Sequence, residues 1–155
     1  MLKNVIYMMI ASFIIQYWAM PVIMTDNVKN LTNSTGKLYI SVIMALIMGL
    51  LEVFMPMGHS MGKSHAHGHS NAPIIIVLSI LLGVFIYIYR NQKGVDDANY
   101  LSEMIEHHSM AVLTSSKIIK KTRNQKVKKL ARQIEEKQKE EIEKMRKIKR
   151  ELKIL

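Results

Sequence analysis

Three long apolar runs come first in this chain, and then a tail in which apolar residues recur every three or four positions. The first run, Val5 to Met24, carries no charged side chain. At ~1.5 Å of rise per residue, a run of that length crosses a hydrocarbon layer of roughly 30 Å. Tyr17 and Trp18 near its end suit a membrane interface, and Pro21 is placed to loosen its last turn. A cleaved signal peptide is the rival reading. The run is long for that role, and no small-x-small cleavage pattern comes after it. The second run, Leu38 to Met57, is interrupted only by Glu52, which is either a functional group in a span or a carboxylate near the headgroups. The third, Ala72 to Tyr89, has Pro73 in its first turn, where a missing N–H costs little. The pattern therefore predicts spanning helices over 5–24, 38–57 and 72–89, with residues 1–90 as a membrane domain.

Between the first two runs, Asp26 to Lys37 reads as a polar connection. Its Asn-x-Thr tripeptides at Asn30 and Asn33 are common by chance in such a segment. From Val95 the pattern changes. Leu101, Met104/Ile105, His108, Ala111/Val112, Ser115 and Ile118/Ile119 mark one face of a helix. Residues 121–125 break the period, and Asn124 is placed to cap the next helix. Val127, Leu130/Ala131, Ile134, Gln138, Glu141/Ile142, Met145, Ile148 and Leu152 mark that second helix. The fold class expected is all-α, with residues 95–155 forming an antiparallel helical hairpin. In a hairpin turning near Arg123 and Asn124, Met104 faces the turn of helix holding Met145, and His108 faces the turn holding Gln138 and Glu141. A lone hairpin of this length buries little surface, so a second copy is expected to complete a four-helix bundle.

Composition narrows the chemistry. The chain is 49% hydrophobic yet has a formal charge of +10, and the charge is concentrated after Arg90. With no Cys there is no disulfide, thiolate metal site or Cys nucleophile. Any soft metal ligand must then come from the 13 Met residues. All six His fall in two places. Two are His107 and His108. The others lie in the segment 55–70, MPMGHSMGKSHAHGHS, where Met55, Met57, His59 and Met61 precede His65, His67 and His69. A His-rich tract of this kind is a compositional metal signal, against the plainer reading of a polar turn in which His is common. In the hairpin, Met104, His107 and His108 lie three and four positions apart, so their side chains reach one patch of the helix, with Met145 predicted opposite. The plainer reading there makes the Met residues core and His108 a hydrogen-bonded histidine. Glu is interleaved with Lys in the tail and no groove-reading motif is present, so nucleic acid is not an expected partner. No Glu-x-x-His spacing, phosphate loop or nucleophile constellation is present, so no enzyme activity is expected.

Met104, His107, His108 and Ala111, with Asp97 and Tyr100 upstream, and Gln138, Glu141, Ile142 and Met145 on the second helix, resemble the signatures of the bacterial family called domain of unknown function 305. The resemblance covers about Val95 to Leu155, and the three spans resemble those of a membrane-anchored subgroup. It implies a ferritin-like helical hairpin and, from members linked to copper, a copper-binding role. Met104, His107, His108 and Met145 are then the metal ligands, with Gln138 and Glu141 supporting them. The chain has one helical pair where longer members have two, which again points to a homo-oligomer.

Together these readings lead to an integral membrane protein of the bacterial inner membrane that binds, stores or tolerates copper, as Cu(I) or Cu(II), with zinc or silver as alternatives. The competing expectation is a membrane-tethered helical oligomerisation module with no metal role. Three spans put the hairpin on the same side as the Asn-rich connection. Lys29, Lys37, Arg90 and Lys93 on that side, against Lys3 and Lys63 on the other, favour a cytoplasmic hairpin. The family resemblance favours an extracytoplasmic one, and that is the expectation retained.

Overall fold

Every regular element among the described residues is helical, as the absence of any period-two pattern requires. The structure is a computed structural model and describes residues 2–59 and 71–152. In chain order the helices are α1 (Leu2–Ile14), α2 (Met20–Met24), α3 (Thr35–His59), α4 (Ala72–Arg90), α5 (Asp97–Lys121) and α6 (Gln125–Glu151). A π-helical turn, Ile15–Ala19, joins α1 to α2, and a 3₁₀ turn, Val28–Asn30, precedes α3. The π turn lies just ahead of Pro21, whose missing N–H disrupts the regular ladder there. Beyond it, the Thr25 N–H and hydroxyl both donate to the Pro21 carbonyl and close α2.

Three segments are long and apolar enough to cross a membrane: Leu2–Met24, Thr35–Met55 and Ala72–Arg90. Helix α3 continues past the predicted end of its span, so that Met55, Met57 and His59 belong to its last turns rather than to a loop.

The chain separates into two compact units, each built from two stretches of sequence. The first comprises Met1–Trp18 and Leu38–Lys93. Its core is Val5, Leu46, Val53 and Leu78, with Met9, Val42 and Phe85 among the side chains packed around it. Gly49 permits a close approach: a Cβ at that position would stand 2.8 Å from the Met9 side chain, so a larger residue would make Met9 shift. Elsewhere in this unit large apolar side chains such as Ile10, Leu51, Ile80 and Tyr87 are exposed. Outward apolar residues in that number fit helices whose surroundings are lipid.

The second unit comprises Ala19–Lys37 and Gly94–Leu155, so the polar connection groups with the hairpin and not with the spans. Asp96 caps α5 by accepting the Asn99 N–H, which holds its carboxyl below the usual range. The chain turns at residues 122–124, where Asn124 caps α6 by accepting the N–H groups of Lys126 and Val127. Helices α5 and α6 then pack along an apolar seam of Ile105, Val112 and Ile142, each at most 4% exposed, with Met145 against it. Lys139–Glu135 and Lys147–Glu151 are helix-spaced ion pairs on the outer face and add little, being screened by solvent. Because so few side chains carry the seam, Ile142→Ala should destabilise this unit by about 2–4 kcal/mol. Denaturant unfolding followed by helical circular dichroism would measure the loss.

Candidate metal centre

Helix α5 is covered on two sides by different chemistry. Toward α6 it presents Ile105 and Val112. Elsewhere it buries Ser102, Glu103, Ser109 and Ser115, and buried polar groups need partners. Residues 25–37 and α6 supply several of them. Ser109 donates to the Asp26 carboxylate and accepts the Asp26 N–H at 3.1 Å. Asn30 donates to both Asp26 and Ser109, while its own carbonyl accepts from Arg146 of α6. The Thr32 hydroxyl donates to the Ser102 carbonyl at 2.7 Å, and Lys149 reaches the Ser102 hydroxyl. Thr35 N–H is accepted by the Asn99 side chain.

Two carboxylates are held in this cover. Glu106 pairs with Lys37 at 3.1 Å, both side chains close to 12% exposed, and also accepts the Thr32 N–H. Lys37 donates in addition to the Thr32 carbonyl. Glu103 lies against the first turn of α3, where Gly36 leaves room for it: a Cβ there would fall 1.8 Å from the carboxylate, which would have to move. Partial positive charge at a helix N-terminus favours a carboxylate in that place.

The expected ligands separate into two groups. His108 Nδ1 donates to the Met104 carbonyl at 2.7 Å, since a carbonyl can only accept. Its Nε2 crosses the hairpin to Glu141 Oε2 at 3.1 Å, and Gln138 donates to the same oxygen at 3.3 Å. The structure thus brings His108, Glu141 and Gln138 together, with Met104 holding the ring by its backbone. His107 turns elsewhere, as an adjacent residue about 100° round the helix must. It is half exposed and faces Glu103 at 3.7 Å. That distance makes an ion pair rather than a good hydrogen bond. Glu103 holds the imidazole of His107 above its ordinary value, against partial burial, which acts the other way. Met145 packs on the apolar seam. Among the described residues, no three His, Asp or Glu side chains gather as a metal-holding group. Of the His- and Met-rich segment, Met55 is exposed on α3, the backbone of Met57 and His59 is helical, and Met61, His65, His67 and His69 lie outside the described residues.

The composition of the connection does not reveal the polar cover. The available signal is on α5: Ser102 and Ser109 stand seven apart beside the apolar stripe, a spacing that places two small polar residues in one line.

A set of three helices fit to cross a membrane, together with a polar-backed helical hairpin, is the class of protein this fold defines. The chain belongs to the family described as Domain of unknown function (DUF305), which residues 97–153 match. It is also 31% identical over 144 residues to an uncharacterised protein of Acanthamoeba polyphaga mimivirus, a match covering 93% of this chain and 90% of that protein. No solved structure matches it.

The cover has two measurable effects. Lys37→Met should cost the second unit about 3 kcal/mol by leaving Glu106 buried and unpaired, and Lys37→Met with Glu106→Leu should recover much of it. Denaturant unfolding of the three variants measures the difference. His107, whose value is raised in the folded chain, contributes stability that is fully present below the ordinary imidazole value of 6.5 and is lost as pH rises through the higher folded value. Metal-free protein should therefore lose stability as pH rises from the ordinary imidazole value through the higher folded one. His107→Gln should flatten that part of the profile.

Proposed function

We propose that this protein is a membrane-anchored copper-binding protein that buffers or hands over the metal without catalysing a reaction. The arrangement of His108 is the observation that supports it. With Nδ1–H committed to a carbonyl, Nε2 stands 3.1 Å from a carboxylate oxygen. Two electron-rich atoms face each other comfortably only when a cation or a proton stands between them. A ring fixed through Nδ1 by a backbone carbonyl is also how metal-bound imidazoles are oriented.

The donors present fit a cation at this place. His108 and Glu141 would hold it, with Gln138 steadying Glu141, and the family resemblance adds Met104, His107 and Met145. Thioether and imidazole favour copper, whereas the carboxylate leaves zinc possible and silver behaves as Cu(I) does. Bound there, copper would be stored or exchanged. The segment 55–70 would act as a looser collector. We place the protein in a bacterial-type inner membrane with the hairpin extracytoplasmic. The cations that argue for the opposite side include Lys37, whose charge Glu106 neutralises.

A second reading, a tethered oligomerisation module, is favoured by the packing of Met145 on the apolar seam, which needs no metal. A Cu(I) competition assay on the purified full chain separates the two. Copper binding predicts that His108→Ala weakens affinity about tenfold or more. It also predicts loss of binding when Met104, His107, His108 and Met145 are all replaced by Ala, and release as pH falls below about 6. A chain that binds no Cu(I), or binds it unchanged after those replacements, overturns the copper reading. An oligomer whose mass is indifferent to a copper chelator then supports the second.

A further inference from the structure

The turn end of the hairpin carries a chemistry that the metal reading leaves unused. Between Lys117 and Arg132 there are eight Lys and Arg and no Asp or Glu, whereas Glu is interleaved with the basic residues further along α6. Among the described residues none of those eight forms an ion pair, although Lys139, Arg146 and Lys147 do. All but Lys128 are exposed. The backbone adds to the field: the first turn of α6 contains Lys126 and Lys128 and no acidic residue, at the end of a helix that is already partially positive.

Apolar side chains stand among these charges. Val127, Leu130 and Ile134 recur at spacings of three and four, so they share a face of α6, and they are 42%, 57% and 37% exposed. By the same spacing Lys126, Lys129 and Lys137 flank that ridge on one side, while Ala131 on its other side is buried.

We propose that this end of the hairpin docks on an anionic lipid surface, its lysines meeting lipid phosphates while Val127, Leu130 and Ile134 enter the headgroup boundary. Charge and apolarity select this occupant together. A second copy would bring two clusters of like charge into contact, which repel. A nucleic acid would use the cations and leave the apolar ridge in water. A bilayer of anionic lipid uses both, as basic amphipathic helices do at membrane interfaces. A chain with three helices able to cross a membrane also always has a bilayer at hand.

The absence of Cys provides the test, because Gln133→Cys creates a single labelling site beside the ridge. Full-length protein carrying an environment-sensitive fluorophore there is reconstituted into phosphatidylcholine vesicles, with or without phosphatidylglycerol. Docking predicts a blue-shifted emission only with the anionic lipid, reversed by high salt. It predicts a docked-to-free ratio about fivefold lower for each of Lys126→Gln and Lys129→Gln, and a reduced shift for Leu130→Ser. Equal emission in the two lipids overturns the proposal. So does a shift that grows with protein-to-lipid ratio, which marks a second copy, or one that needs added RNA or acidic peptide.

Discussion

A helix that buries polar side chains must be given partners for them, and α5 buries them along the side that α6 does not cover. Glu106, Ser109 and the Ser102 carbonyl are satisfied by Asp26, Asn30, Thr32 and Lys37, from a segment that precedes α5 by two long apolar helices, and the Ser102 hydroxyl by Lys149 of α6. An apolar seam alone would leave α5 and α6 a marginal pair. With one side closed by hydrophobic contact and another by hydrogen bonds, the pair has a three-part structure within one chain. The physical argument for a second copy is correspondingly smaller, because part of the surface such a copy would cover is already occupied.

That frame also sets what the conspicuous side chains can do. Glu103, pressed against Gly36, draws His107 toward it, while the Met104 carbonyl turns His108 toward α6. Two neighbouring imidazoles therefore serve two carboxylates, one on their own helix and one across the hairpin. Among the described residues, His108 and Glu141 are the ion pair that joins the two helices through groups that could share a cation. Met145 contributes where it lies as a packing residue, a use for which its unbranched, polarisable side chain is well suited.

Much of this was legible in the chain. Apolar run length located the helices able to cross a membrane, and the third was expected over 72–89 and found over Ala72–Arg90. The break in period at residues 121–125 marked the turn, with Asn124 as the cap, and that turn position put His108 opposite Glu141. Such features are local or derive from local features by symmetry. The polar cover is neither: the hydrogen bonds of residues 25–37 to α5 and α6 join residues 64 to 116 positions apart, and Asn, Thr and Ser make no period that announces a distant partner. The divergence of His107 from His108 was hidden for a related reason. Spacing says which residues share a helix face, but the carboxylates that draw each ring away come from the folded surroundings. The basic end of the hairpin was obscured by averaging, since Glu-rich sequence further along α6 dilutes it.

The two-part construction of the second unit has a consequence for biosynthesis. Residues 19–37 leave the ribosome early and their partners on α5 and α6 leave last, with α3 and α4 made in between. If those two helices each cross the bilayer, the chain returns to the face it left, and Lys37 can meet Glu106. Were either to fail to insert, the halves would be stranded on opposite faces, with an unneutralised lysine on one and a lone carboxylate on the other. Closure of this small polar interface thus requires α3 and α4 to cross as a pair.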